Sequence, residues 1–546
     1  MTSEWSSRLS LQSQHRNDWV KNTRAAGPTK DLEGYDDNAL RLQLAYAPSG
    51  PFSAAINFHG RELKGSARVF RGNIIQPGSN NLVAGFDPSK VTLDGANEQT
   101  LQTTGGSIRL KLALDGVTLH SITGFESVRS FSRGDVDGTA GPYNFFAPGF
   151  RPGIDSQVPS ETADQIRNHG QWTQEFRAES NGAGPLRWQG GLYLFQESYD
   201  VNSYGYDSLG GNVQNDLVQT TQDNNAWALF GSASYQVTPV LNLRGGLRYT
   251  RDKKDLRTAD GTNYNNANGN TKSTSDSKVS WDLSGTYAVT PDLNAYARVA
   301  TGFRGSSIQQ PSAFAALTFA GPETITSYEI GLKGDLLDKR ARTSISLFQY
   351  DVKDQQLTVV GGGGNGNVLF NAKKVMGRGI EASLDAYVTE NLLIGLNGSY
   401  NLTRIKDPTL AVGVCAACTV LNARDAAGNA LINGNPLPQA PKYIANLTAR
   451  YAIPTASGGE WYVFTDWSYR SEVNFFLYRS TEFTGKAMTL GGLRVGYLWG
   501  NGKYEAALFG RNITNQIRVV GGIDFTNLTG FINEPRTFGA QFKATF

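Results

Sequence analysis

The sequence predicts an all-β chain folded as one large antiparallel transmembrane β-barrel of about 20 strands. Three observations carry this expectation. Apolar and polar residues alternate with a period of two, short turn signals recur at one end of each strand pair, and no stretch suits a membrane helix. The alternation is plain in Leu241-Asn242-Leu243-Arg244-Gly245-Gly246-Leu247-Arg248-Tyr249-Thr250. Leu, Leu, Gly, Leu and Tyr fall on one face, and Asn, Arg, Gly, Arg and Thr on the other, because successive strand side chains point to opposite faces. Leu40 to Tyr46 and Trp281 to Tyr287 repeat the pattern. Arg8-Leu9-Ser10-Leu11-Gln12-Ser13 already alternates near the start.

The turn signals resemble one another. Tyr235-Gln236-Val237-Thr238-Pro239-Val240-Leu241 is echoed by Tyr287-Ala288-Val289-Thr290-Pro291-Asp292-Leu293, and more loosely by Tyr387-Val388-Thr389-Glu390-Asn391-Leu392. Further short turns are expected at Pro48-Ser49-Gly50, Asp115-Gly116, Asn181-Gly182, Leu337-Asp338-Lys339, Ser457-Gly458-Gly459 and Gly500-Asn501-Gly502, whose residue types suit tight hairpins. They cut the chain into ten pieces. Two strands of ~10 residues fill less than half of each piece. The remainder is expected to be a long polar loop, always opposite the short turn. Short turns on the periplasmic side and long loops on the extracellular side are what transmembrane barrels show.

Two features favour a membrane barrel over a soluble sandwich or propeller. Tyr46, Tyr235, Tyr287, Tyr387, Tyr451 and Tyr497 each precede a short turn, where an interfacial aromatic girdle lies. The ending Phe538-Gly539-Ala540-Gln541-Phe542-Lys543-Ala544-Thr545-Phe546 places Phe538, Phe542 and Phe546 on one face, expected to meet lipid. A propeller would show an even period of ~40–45 residues, whereas these spacings vary widely.

Composition narrows the function classes. Of 546 residues, Lys and Arg number 51 and Asp and Glu 48, a net charge of +3 that gives no sign of a nucleic-acid partner. Hydrophobic residues make up 39%, and no run approaches the ~20 apolar residues of a spanning helix. Gly (62) and aromatics (11%) are abundant, while Cys (2), Met (3) and His (4) leave little material for metal or thiol chemistry. Met1-Thr2-Ser3-Glu4-Trp5 shows no basic stretch followed by an apolar core, so a fragment or truncated reading frame is the expectation.

In the carboxy-terminal half, Thr301-Gly302-Phe303-Arg304-Gly305, Glu323-Thr324 and Tyr328-Glu329-Ile330-Gly331-Leu332-Lys333 resemble the mid-barrel signature of TonB-dependent receptors. Phe348 to Gln355, Gly379-Ile380-Glu381-Ala382, Gly510 to Asn515 and Glu534-Pro535-Arg536-Thr537-Phe538-Gly539 continue the resemblance through most of residues 225 to 546. Gln14 to Val20 is similar to an early barrel strand and its loop. The resemblance implies a 22-stranded barrel, an amino-terminal plug and a box that engages the TonB coupling protein. Here the whole of 1–546 reads as barrel, with plug, box and first hairpin missing. The two terminal strands are then expected either to re-pair across a gap or to leave a seam. The resemblance also implies the bacterial outer membrane, its lipid and barrel-assembly machinery as partners, with Phe538, Phe542 and Phe546 as the assembly signal. The cargo would be a small molecule or metal chelate, ferric siderophores above all. The coupling protein would act only through the absent plug.

The remaining constellations carry less. Cys415-Ala416-Ala417-Cys418 would suggest redox chemistry or half a zinc site in a cytosolic protein. In a long outer loop, in an oxidising compartment, a local disulfide is the better reading. Gly361 to Gly366 fits a phosphate-cradle template, but Asn367-Val368-Leu369-Phe370-Asn371 opens no helix, so it reads as a loop tip. Tyr143, Phe145 and Phe146, then Tyr204 and Tyr206, then Phe475, Phe476 and Tyr478 cluster in or beside long loops. They either stack on a flat organic ligand or chelate, or pack the loops together, and both readings stand. Inward Arg244, Arg248, Arg450 and Lys543 would attract anionic cargo, although a polar lumen is general in such barrels. No catalytic constellation, metal set or cofactor is expected, so the chain reads as no enzyme. The expected function is uptake of a ferric siderophore or another scarce nutrient. The alternatives are a passive, leaky or loop-gated pore, and a truncated non-transporting remnant or adhesin.

Overall fold

A computed structural model describes residues 4–24, 31–139, 161–207, 213–259, 269–312, 315–361, 366–524 and 527–546. Among them every regular element is a strand. Twenty of these form one antiparallel sheet, the barrel wall. In chain order they are β1 (Trp5–Arg16), β2 (Tyr35–Tyr46), β3 (Phe52–Gly65), β4 (Glu98–Ala113) and β5 (Val117–Asp135). There follow β6 (Glu161–Ser180), β7 (Leu186–Asp207), β8 (Val213–Thr238), β9 (Leu241–Thr258) and β10 (Thr271–Thr290). Next come β11 (Leu293–Arg304), β12 (Glu323–Leu336), β13 (Ala341–Gly361), β14 (Gly366–Thr389) and β15 (Leu392–Ile405). The last are β16 (Tyr443–Pro454), β17 (Glu460–Arg470), β18 (Met488–Trp499), β19 (Tyr504–Arg511) and β20 (Thr537–Ala544). Each pairs antiparallel with the next, from β1–β2 through β19–β20. At the loop ends of the first and last strands, Arg16 Nη1 stands 2.8 Å from Glu534 Oε1, an ion pair across the two edges.

The alternation becomes two faces. Leu247 on β9 pairs with Trp281 on β10, and Tyr249 with Val279. Leu247 is 63% exposed and Val279 52%, so this apolar row faces outward, where only lipid makes such exposure favourable. The intervening Arg244 and Arg248 face Ser284 and Ser280 across the ladder, on the lumen side.

The repeated turns have a shared cause. The register shifts just before Thr238, Thr290 and Thr389. Each threonine hydroxyl then accepts a backbone N–H from within or just past the turn: Leu241 at 3.1 Å, Asp292 at 3.3 Å and Leu392 at 3.1 Å. Threonine closes the hairpin through its own side chain, which is why the motif recurs. Gly500, Asn501 and Gly502 turn through positive φ values of 62°, 56° and 79°, conformations these residue types adopt readily. Leu337, Asp338 and Lys339 make the same excursion at 55°, 53° and 67°, where a Cβ makes it strained.

An aromatic girdle lines the turn side. Trp5 packs on Tyr46 at 4.8 Å between ring centroids, Trp461 on Tyr497 at 4.8 Å, and Trp499 on Tyr504 at 5.6 Å. Phe542 lies 6.3 Å from Trp499 and is 65% exposed, and Phe538 is 74% exposed.

The opposite end differs from the sequence expectation in one respect. The expected ~10-residue strands are exceeded: β8 has 26 residues and β14 has 24. The β7–β8 and β13–β14 connections are not long polar loops, because their strands continue outward, paired as far as Asp207↔Val213 and Gly361↔Gly366. Residues such as Val201, Val218, Val352 and Val375 give these extensions buried apolar positions above the membrane band.

Candidate functional site

The long connections fold together into a packed assembly at the loop end, and this assembly with the lumen wall is the candidate site. Its apolar centre joins Ile74 and Ile75 of the β3–β4 connection, Ile405 and Ile432 around the β15–β16 connection, Phe475, Leu477, Tyr478 and Phe483 of β17–β18, and Val519 and Leu528 of β19–β20. A second cluster joins Val20 and Leu32 of the β1–β2 connection to Val69, Val91 and Leu93.

Polar groups lock the connections to one another. The buried Glu482 carboxylate accepts from Gly78 N at 2.8 Å, Thr419 N at 2.8 Å and Thr419 Oγ1 at 2.9 Å, tying three connections at one side chain. Asn80 Nδ2 donates to the Glu482 carbonyl at 2.5 Å. Asn527 Nδ2 and Thr529 Oγ1 donate to the Asp137 carbonyl, each at 3.0 Å, fastening the last connection to the end of β5. An unpaired buried polar group costs about 1–3 kcal/mol, so such groups rigidify only when satisfied.

Near that junction sits an acidic cluster that the sequence reading missed. Asp135 accepts from Gly95 N at 3.0 Å, Asp94 N at 3.2 Å and Gly138 N at 3.1 Å. Burial pushes the Asp135 carboxyl well above its ordinary range, and the neighbouring Asp137 charge adds to it. Burial likewise raises Asp137, against the hydrogen bonds from Thr139. Burial also raises Glu161, opposed by its bond from Arg133. The available signal was Gly134-Asp135-Val136-Asp137-Gly138, two carboxylates flanking one apolar residue at a turn. No group of His, Cys, Asp and Glu suited to a metal ion occurs among the described residues.

The aromatic candidates separate. Tyr143, Phe145 and Phe146 lie outside the described residues. Phe475 and Tyr478 are buried within the assembly, and Phe476 is partly covered. Phe476 stacks on Tyr478 at 5.8 Å and meets Phe483 edge-on at 4.8 Å. The Tyr478 hydroxyl donates to Asp524 Oδ2 at 3.0 Å and accepts from Cys415 N at 3.2 Å. Burial pushes that hydroxyl far above its ordinary range. Tyr204 and Tyr206 stand on the outward extension of β7, 6.4 Å apart and part-exposed. Tyr204 donates to Gln165 Oε1 at 3.0 Å, and the Arg133 guanidinium lies 3.8 Å from the Tyr206 ring centroid. Cys415 and Cys418 form a disulfide with their Cα atoms 5.4 Å apart, beside Tyr478.

Along the lumen wall two of the four expected cations, Arg244 and Arg450, are ion-paired, and Arg494, not among those expected, is paired as well. Arg244 pairs with Asp282 at 2.7 Å, and Arg450 with Glu460. Arg494 bonds Glu505 at 2.5 Å, Tyr462 Oη at 2.6 Å and Gln541 Oε1 at 2.7 Å. Arg248 lies over the Tyr193 and Phe230 rings at 5.6 and 5.8 Å. Lys543 faces Glu505 across the β19–β20 ladder.

Residues 49–515 match the family described as TonB dependent receptor-like, beta-barrel. The chain belongs to that family. Among solved structures, this TonB-dependent receptor barrel is similar to the ferric yersiniabactin uptake receptor of Yersinia pestis, with a TM-score of 0.79 and 17% identity, covering 100% of this chain and 76% of that one. It is also similar to the siderophore receptor of Acinetobacter baumannii, with a TM-score of 0.74 and 12% identity, covering 100% and 78%. In sequence it is 25% identical over 288 residues to the pesticin receptor of Yersinia pestis, 52% of this chain and 38% of that receptor. The TonB-dependent receptor barrel thus spans well under half the length of the curated relative it matches.

Proposed function

We propose that the chain is the barrel of a bacterial outer-membrane receptor for a ferric siderophore or another scarce, chelate-like nutrient. The observation that carries this reading is the loop assembly itself: interlocked outer connections standing over a polar, charge-paired lumen wall. That arrangement offers selective binding outside and passage within, and its work is recognition rather than covalent chemistry. Outer-membrane lipid and the barrel-assembly machinery are its partners in the membrane. The TonB coupling protein is its partner in energised uptake, through a plug. Tyr204 and Tyr206, with Tyr143, Phe145 and Phe146, are the proposed stacking surface for cargo, whereas Phe475, Phe476 and Tyr478 act mainly by packing. The test is uptake of radioiron from a panel of ferric chelates by cells producing the protein, with and without the coupling protein. One chelate should be taken up only with the coupling protein, and Tyr204→Ala/Tyr206→Ala should weaken its binding. Uptake indifferent to the coupling protein would identify a passive pore, and no binding of any chelate would sink the reading.

A further inference from the structure

A basic cleft opens on the outer surface of the wall, away from the lumen, where β15, β16 and β17 reach the loop assembly. Its volume is about 640 Å³, and its lining includes Arg404, Lys442, Arg479 and Lys486 against one carboxylate, Glu472. All five are exposed, and none of the four cations has a carboxylate partner among the described residues. Elsewhere on the chain cations are commonly paired, as Arg244, Arg450 and Arg494 are.

Register fixes which way the cleft faces. Tyr400 pairs with Tyr443, and Leu447 with Leu396 and Trp467, all in the outward row. Tyr443 and Tyr469 line the cleft, with Leu402 and Arg404 of the same outward row on β15, whereas the inward Ile444 and Arg470 do not. The inward Asn401 and Thr403 enter the lining only where β15 runs on beyond its pairing with β16. Lys442 Nζ lies 5.4 Å from the Tyr443 ring centroid and 5.6 Å from that of Tyr400, so its charge sits on the outward tyrosines. Lys486 Nζ is held by Asn81 Oδ1 at 2.5 Å.

Depth follows from the same row. From Tyr451, beside the short turn, to Tyr443 the strand climbs about 26 Å, or about 20 Å along the membrane normal at a tilt of about 40°. That is close to the ~25 Å apolar band of such barrels. The cleft therefore begins where hydrocarbon ends, at the level of lipid headgroups, on the side facing lipid. Exposed cations there attract anionic headgroups, and guanidinium groups suit phosphate.

We infer that this cleft binds the phosphorylated headgroup of a lipid in the outer leaflet. The inference rests on the membrane placement proposed above. The test uses the purified chain folded in detergent, with lipid A as a bis-phosphorylated probe beside its dephosphorylated form. The phosphorylated lipid should bind more than tenfold tighter. Each cation is worth about fivefold, so Lys442→Ala/Lys486→Ala should weaken binding about 25-fold, with affinity for the dephosphorylated lipid unchanged. Lys442→Arg/Lys486→Arg should retain binding, and Lys503→Ala, at a short turn, should change nothing. Equal affinity for the two lipids would overturn the inference, as would displacement by inorganic phosphate at the lipid's own concentration. Folding is followed separately by heat-dependent gel mobility. A chain that folds but does not discriminate overturns this inference alone, whereas one that cannot fold in detergent overturns the membrane reading with it.

Discussion

Replacing Tyr478 distinguishes a side chain that packs the loop assembly from one that presents a face to cargo. The ring is 1% exposed, and its hydroxyl donates to Asp524 and accepts from Cys415 N. Tyr478→Phe keeps the ring and removes both bonds. A bond to a carboxylate contributes roughly 2 kcal/mol and one from a neutral amide roughly 1, so about 3 kcal/mol of local stability should go. Tyr478→Ala adds a cavity and should cost about 3–5 kcal/mol. The barrel ladders do not depend on this ring, so the loss should appear as local opening rather than global unfolding. The assay is amide hydrogen exchange across residues 405–437 and 473–483 in the detergent-folded protein. Exchange in Tyr478→Phe should rise by about two orders of magnitude there, while β9 and β10 stay protected. Unchanged protection of the connections, with weakened cargo binding, would refute the packing argument.

Leu247 sits near the middle of the outward row, so Leu247→Arg should destabilise the folded barrel by about 2–4 kcal/mol in urea unfolding from lipid vesicles. An effect under about 0.5 kcal/mol would mean that this face does not meet hydrocarbon. Phe546→Ala should lower the yield of membrane-inserted protein in cells more than Phe146→Ala does, and equal yields would count against an assembly signal at the carboxy terminus. The Asp135–Asp137 pair predicts a pH effect whose sign follows from raised carboxyls. The folded assembly holds protons that the opened one releases, so its stability is full below the ordinary carboxylate range and falls as pH rises toward the raised values. Proteolysis at residues 66–97 should therefore quicken with rising pH, and Asp135→Asn should flatten that dependence. A rate independent of pH in the parent chain would contradict it.

The barrel was legible in the sequence because each of its determinants is local. A two-residue period sets the face of a strand, and a threonine, glycine or asparagine at a fixed offset closes the hairpin. Thr238, Thr290 and Thr389 needed only their own neighbours to reveal the turn. The loop assembly was not legible because its determinants are distant. Gly78 and Glu482 are separated by 404 positions, and Asn527 and Asp137 by 390. No periodicity marks which of Phe475, Phe476 and Tyr478 goes inside, since loops lack a repeating face. The strand extensions at β7–β8 and β13–β14 escaped for a related reason. Above the membrane their neighbours are other connections, so the simple alternation of lipid and lumen no longer applies.

These two levels of specification divide the work of the molecule. Any apolar residue satisfies an outward barrel position and nearly any polar one an inward position, so the wall tolerates wide sequence change. The loop assembly has no such tolerance, because Glu482 needs Gly78 and Thr419 at hydrogen-bond distance together. A carboxylate held by three donors from two other connections fixes the mutual positions of all three, and with them the outer surface of the loop assembly. The shape of that surface is thus set by contacts between connections rather than by any one loop. The wall beneath supplies a rigid frame that places ten strand pairs in order, and the loops compute the surface only once that frame has closed the distances between them.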